Sequence, residues 1–280
     1  MKLTTPDIKK KENFREFYES VGRLYPEEEL VYSSLRGRVR WKFVCSYLQT
    51  FHGRLLDLGC NRGAYLAGYE KGKPIGMDLA QSVLSFAKRR VPNACFMQCD
   101  AQNLCLQSGS IDSILCTEVI EHVPDARRVL AECFRVLNHG GSILITTPNY
   151  RGRKPTWTEV GIMEQYGVQG VNGDRYFHTA FRPDELKSMA ETVGFRVLKS
   201  GTFEKEVKYA TRIPVFFYHI FDRINRHTVK SERLEQMNGA VFQEWSLLIY
   251  KLCVALHLDG FFSRLVREGV RTFLFAQKPS

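Results

Sequence analysis

Residues 55–63, Leu-Leu-Asp-Leu-Gly-Cys-Asn-Arg-Gly, constrain this chain more than any other stretch. An apolar run ends in an acid, and a turn bracketed by Gly59 and Gly63 leads into a helix-like segment at 64–69. A strand hands over to a ligand-binding loop in this way, because glycine allows a tight turn and a close approach of backbone to ligand. A dinucleotide fingerprint needs G-x-G-x-x-G, whereas this loop reads Gly59-x-x-x-Gly63 with Asp57 just before it. Two further acids, Asp78 and Asp100, stand where the next strands should end. Three carboxylates around one loop repel a pyrophosphate and suit a cationic ligand rich in hydroxyls.

The rest of the chain supports an α/β reading. Strand-like runs lie near 54–58, 74–78, 94–99, 112–117 and 142–147, with helical patterns at 82–90 and 125–137 between them. Such alternation implies a mostly parallel sheet covered by helices on both faces. Asn138-His139-Gly140-Gly141 reads as a sharp stop between the second helix and the strand beginning at Ser142. A helix at 183–193, a glycine at 194 and a strand at 195–201 follow, and a last strand at 271–276 brings the count to seven. Residues 12–50 look helical, with Phe14, Phe17, Tyr18 and Val21 three or four apart. The expected organisation is an N-terminal helical segment (1–50), a core (51–204), a helical insertion or cap (205–269) and a closing strand (270–280).

Composition narrows the setting. A length of 280 residues, 44% of them hydrophobic, suffices for a full core. The opening Met-Lys-Leu-Thr-Thr-Pro lacks the apolar run of a signal peptide, so a cytoplasmic protein is expected. The eight cysteines show no CxxC pair and read as buried, reduced thiols, with no metal ligands assigned among them. A net charge of +10 attracts nucleic acid, anionic lipid or acidic small molecules, or simply solvates the surface, and charge alone does not choose. Its clusters are Lys9–Lys11, Lys88–Arg90, 151–154 and 212–233.

Two segments break the alternation. Residues 148–182 form a long connection with Tyr150, Trp157, Tyr166, Tyr176 and Phe177, a length usually reserved for function or disorder. Residues 205–269 carry Ile213-Pro214-Val215-Phe216-Phe217-Tyr218 and an apolar stretch at 245–258, too short and too interrupted by Lys251 to span a bilayer. A packed cap helix is the default expectation, and an interfacial amphipathic helix beside the arginines is the alternative.

Leu55 to Gly63, Asp78, Asp100-Ala101, IDSILCTEVIEHV at 111–123 and GGSILITTPN at 140–149 together resemble, in order and spacing, the motifs of class I S-adenosylmethionine-dependent methyltransferases. Within that family the chain is most similar to the small-molecule group that includes the ubiquinone-biosynthesis O-methyltransferases. The likeness covers roughly residues 40–200 and leaves the insertion unexplained. It departs at Asn61, where the family usually has glycine; asparagine tolerates left-handed backbone well.

The resemblance implies a Rossmann-like fold, S-adenosylmethionine as cofactor, and a role for each matching residue. Gly59, Cys60, Asn61 and Gly63 would form the loop against the methionine part, and Asp57 would anchor its ammonium. Asp78 would accept both ribose hydroxyls, with Leu79 on the adenine and Asp100 and Ala101 at its amino edge. Thr117 and Glu118 would border the methyl-donating face. His122 is the candidate base for an oxygen acceptor, and His178 is a second, because relatives often carry a histidine in the substrate-facing loop. The quinone-type enzymes are reported to hold a divalent metal with the segment containing Glu118, Glu121 and His122; no metal ligands are assigned from this sequence.

The expected function is methyl transfer, by in-line displacement, to an oxygen of a small hydrophobic acceptor, aromatic or lipid-linked, in a cytoplasmic protein for which an anionic membrane surface and peripheral association are the further option. Two alternatives remain. An RNA-modifying methyltransferase is motivated by the charge, but no separate RNA-binding module is visible and the fourth strand lacks an Asn-Pro-Pro-Tyr motif. A non-catalytic cofactor-binding protein is opposed by the complete set of acids and glycines.

Overall fold

The sheet grows outward from one strand that is buried on both faces. The computed structural model describes residues 10–24, 33–150, 157–159 and 175–280. In β1 (Gly53–Leu58), Leu55, Leu56 and Leu58 are all essentially inaccessible, as expected of a central parallel strand. It pairs in parallel with β2 (Gly72–Asp78) on one side and with β4 (Ile111–Thr117) on the other. The short β3 (Cys95–Gln98) closes the β2 edge, and β5 (Leu137–Pro148) lies beside β4, both in parallel. With β8 (Arg196–Phe203) and β9 (Arg271–Gln277), the seven strands run in the order β3-β2-β1-β4-β5-β9-β8. A second, two-stranded sheet pairs Trp157–Glu159 (β6) with Arg175–Phe177 (β7) antiparallel. The expected mostly parallel, seven-stranded α/β sheet is the observed one.

Helix signals act where the local chemistry directs. In α4 (Ala126–Val136) the buried residues Ala126, Val129, Leu130, Cys133 and Val136 form one stripe, and Asp125 caps the start by accepting the Arg128 N–H at 3.0 Å. In α5 (Pro183–Val193) proline occupies the first turn, and Gly194 ends the helix at a φ of +114°. Helix α3 (Gln81–Arg90) follows β2, and α1 (Lys10–Leu24) contributes the Glu19 carboxylate, which accepts the Ser82 N–H at its start.

Two expectations need correction. The segment 138–141 is not a turn ahead of a strand at Ser142: β5 starts at Leu137, directly after α4. Gly140, at a φ of +77°, and the irregular register between Ile111 and Ser113 absorb the expected turn as a bulge. The cysteines are free but not uniformly buried. Cys60, Cys116, Cys133 and Cys253 are buried, whereas Cys95 and Cys105 are exposed, the first because it opens an edge strand.

The chain clusters into two compact units, 1–26 with 45–201 and 272–280, and 27–44 with 202–271. The boundaries fall inside α2 (Leu35–Leu48), inside β8 and at the start of β9, so the N-terminal segment 1–50 is divided between the units. The second unit carries α6 (Lys205–Ala210), α7 (Arg212–His227), α8 (Glu232–Ala255) and α9 (Asp259–Leu265). Its small core is Leu35, Val39, Val207 and Ala210, with Leu247 and Ile249 packed against them. A buried ion pair between Arg40 and Glu204 (2.9 Å) and a stack of Phe43 on Phe203 (4.0 Å) join α2 to the end of β8.

Candidate active site

Strand order reverses at β1, because β2 lies on one side of it and β4 on the other. Beyond the carboxyl ends of such strands lies the crevice in which open α/β sheets bind ligands. Asp57 sits at this end of β1, between Gly76 and Leu115 of its neighbours, and is 1% exposed.

The loop after β1 depends on its glycines. Gly59 and Gly63 have φ of +75° and +72°, and Asn61 takes +45° between them. A Cβ on Gly59 would lie 2.2 Å from a Val119 methyl, so this loop and the one after β4 interlock. The Gly59 and Cys60 N–H groups both donate to the Met77 carbonyl, at 2.7 and 2.9 Å, pinning the loop to β2.

Asp78 ends β2 and organises that junction. Its Oδ2 accepts the Asn61 N–H and its Oδ1 the Ala80 N–H, each at 2.9 Å. Burial pushes its pKa above the ordinary carboxylate range; the N–H groups of Ala80, Asn61 and Leu79 pull it back, and Glu19 adds to the rise. Each oxygen retains lone-pair capacity for a ligand hydroxyl. The Leu79 carbonyl accepts from Gln98 at 2.8 Å. Asp100, past β3, turns its Oδ1 to the Gln102 N–H at 2.9 Å, and Ala101 is buried beside it. An ion pair holds the next loop: Glu132 of α4 accepts the Leu104 N–H and pairs with Arg135, which donates to the Leu104 and Leu106 carbonyls.

The loop after β4 gathers the candidate bases. Thr117 ends the strand, and Glu118, at a φ of 55°, accepts the Thr146 hydroxyl at 3.1 Å. Glu121 is buried and accepts the Thr147 hydroxyl at 3.1 Å, and its Oε1 lies 3.9 Å from His122 Nε2. Its carbonyl accepts the Thr179 N–H at 2.9 Å, which brings His178 alongside. The two imidazole centroids are 5.1 Å apart, edge to face. The ligand atoms of Glu121, His122 and His178 lie within 4.8 Å of one another, and Glu118 is not part of that group.

Aromatic residues from elsewhere in the first unit surround the imidazoles. Tyr18 of α1 meets the His122 ring edge-on at 5.8 Å, and Phe17 stacks on Tyr176 at 5.3 Å. Tyr176 and Tyr150 each have ring centroids 6.0 Å from His178. Burial, and then Glu121, Tyr176 and Asp78, push the Tyr18 pKa well above its ordinary value, so Tyr18 stays neutral at working pH. Tyr18 and Phe17 enter here without any sequence reading that placed them. Their spacing marked a helix and held no signal for where the helix docks. Tyr166 and the basic cluster 151–154 lie outside the described residues.

The comparisons with known proteins bear on the family and the fold. Residues 56–145, from β1 into β5, match the methyltransferase domain family. The ubiquinone biosynthesis O-methyltransferase of Coxiella burnetii is 28% identical over 166 residues, covering 57% of this chain and 70% of that protein. The structure of phosphoethanolamine N-methyltransferase 2 from Haemonchus contortus, in complex with S-adenosyl-L-methionine, superposes with a TM-score of 0.58 at 18% identity. That alignment covers 95% of this chain but only 60% of the nematode protein. An S-adenosylmethionine-dependent methyltransferase from Mesorhizobium loti superposes with a TM-score of 0.53 at 15% identity, over 86% of this chain and 98% of the other. The two superpositions bear on the fold, and the matched segment 56–145 carries the strand ends described above. Residues 56–145 thus form a methyltransferase domain, and the chain is similar in sequence and fold to S-adenosylmethionine-dependent methyltransferases.

Proposed function

We propose that this methyltransferase acts on an oxygen of a small hydrophobic acceptor, aromatic or lipid-linked in character. The observation that carries this reading is the pair of imidazoles, His122 and His178, 5.1 Å apart within a rim of tyrosines beyond β4. S-adenosylmethionine supplies an activated methyl group for in-line displacement. In this assignment Asp57 anchors the ammonium, Asp78 the ribose diol, and Leu79, Asp100 and Ala101 the adenine. Gly59, Cys60, Asn61 and Gly63 form the loop, and Thr117 and Glu118 border the reacting face.

The protein's remaining tasks are positioning, exclusion of water and removal of the hydroxyl proton. His122 accepts that proton, since imidazole titrates near neutral pH. Glu121, buried beside it, stabilises the resulting imidazolium. His178 and the tyrosines hold the acceptor ring. The Coxiella relative's name, a ubiquinone biosynthesis O-methyltransferase, suggests the class of acceptor to test, a hydroxylated ubiquinone precursor. Incubation with methyl-labelled S-adenosylmethionine should carry label into the organic phase with that precursor. Label carried instead into bulk tRNA, or into neither by protein that binds the cofactor, would refute the reading.

The cluster of Glu121, His122 and His178 favours a second reading. One carboxylate and two imidazoles suit a divalent first-row ion, and Thr147 orients the carboxylate. A bound ion would polarise the acceptor oxygen, and His122 would then serve as ligand, not base. Turnover undiminished in excess chelator would remove this reading.

A further inference from the structure

Helix α7 has its apolar face on the outside. Ile213, Phe216, Phe217, Ile220, Phe221 and Ile224 recur at helical spacing, and each is at least 40% exposed, with Phe216 at 63%. The opposite stripe, Pro214, Tyr218, Asp222 and Asn225, is the less exposed one. Asn238 of α8 donates to the Tyr218 carbonyl at 3.0 Å, so this stripe faces α8. A solvent-facing helix of a globular protein should show the reverse arrangement.

Helix α8 extends the same surface. Met237, Val241, Trp245, Leu248 and Leu252 form a second exposed stripe, linked to the first where Trp245 meets Phe217 at 6.0 Å. Over 245–258 the helix packs along one side only: Ser246 and Cys253 are buried and Leu247 and Ile249 meet the unit's core, but Trp245, Leu248, Leu252, Leu256 and Leu258 are exposed. Contiguous apolar surface of this extent marks an interaction site.

Charge selects the occupant. Between residues 212 and 233 stand five cations, Arg212, Arg223, Arg226, Lys230 and Arg233, against two acids, Asp222 and Glu232. A second copy seated on α7 by a twofold axis would set this rim against itself. An anionic lipid surface neutralises the rim while its acyl region receives the phenylalanines. No single described helix is long and apolar enough to cross a membrane.

We propose that the α7–α8 face of the second unit docks into one leaflet of an anionic bilayer and lies in its interface plane. This deepens the reading of a hydrophobic acceptor, since such a substrate would be met at the bilayer. The docking itself requires neither acceptor nor cofactor.

The test is co-sedimentation of the full chain with vesicles of phosphatidylcholine alone or mixed with phosphatidylglycerol, at low and high salt. Binding should require the anionic lipid and fall with salt. Phe216→Asp with Phe221→Asp should lower partitioning at least about tenfold, while calorimetry with S-adenosylhomocysteine stays unchanged and shows the variant folded. Arg223→Glu with Lys230→Glu should abolish the preference for anionic lipid. Trp245 emission should shift to the blue on vesicles, and Trp245→Phe should remove that shift. Absence of sedimentation by wild-type protein that binds S-adenosylhomocysteine overturns the docking and leaves methyl transfer standing. So does a wild-type dimer that the Phe216/Phe221 variant converts to monomer, because the face then belongs to a second copy.

Discussion

Replacing Asp78 with asparagine tests the assigned cofactor site where the structure is most explicit. Each carboxylate oxygen already accepts one backbone N–H, from Asn61 and from Ala80, at 2.9 Å. Asparagine leaves one oxygen in place and turns an NH2 group toward a backbone donor. One of the two ribose hydroxyls then loses a charge-assisted acceptor, which costs about 1.5–3 kcal/mol. Cofactor affinity should fall roughly 10- to 150-fold. The loss in folding stability should be smaller, since burial already penalises the ionised carboxylate and raises its pKa. The sign of that shift gives a second signature. Wild-type affinity should be full above the raised Asp78 pKa and should weaken as pH falls through it, whereas the asparagine variant should not follow that titration. Calorimetry with S-adenosylhomocysteine across pH, beside thermal melts, reads both effects. Equal affinities for the two proteins, or parallel pH profiles, would refute the assignment.

Other perturbations probe the surrounding frame. Gly59→Ala forces a Cβ onto backbone at a φ of +75° and to 2.2 Å from Val119, so urea unfolding should show about 2–4 kcal/mol lost, partly restored by Val119→Ala. Glu132→Gln breaks the pair that holds 104–106, at about 1.5–3 kcal/mol. Arg135 holds the Glu132 pKa below its ordinary value, so this stability is present above the unfolded pKa and is lost as pH falls through the folded one. Wild type and variant should therefore converge in acid denaturation curves. His122→Ala should lower kcat for an oxygen acceptor by about 10²–10⁴ and remove the acid limb of the pH–rate profile. An unchanged profile would shift the role of base to His178.

What the sequence made legible was local. The run 55–58 is a buried central strand because both of its faces are apolar, and each acid expected at a strand end stands at or just beyond one. Gly194 and Asp125 marked helix ends by the same local logic. Features set by long-range packing stayed hidden. Phe17 and Tyr18 showed helical spacing, but only the docked α1 reveals that they face Tyr176 and His122. The adjacency of His122 and His178 depends on the Thr179 N–H reaching the Glu121 carbonyl, across elements far apart in sequence. The apolar run 213–218 was visible, but its continuation as a stripe through Ile220, Phe221 and Ile224, and the solvent-facing side of that stripe, emerged only with the packed helix.

The central claim is that the crevice beyond β1, β2 and β4 binds S-adenosylmethionine through its acids. Titrating the folded chain with S-adenosylmethionine in a calorimeter should give one saturable site, displaced competitively by S-adenosylhomocysteine. No heat with either compound, from protein with an intact cooperative melt, would contradict it.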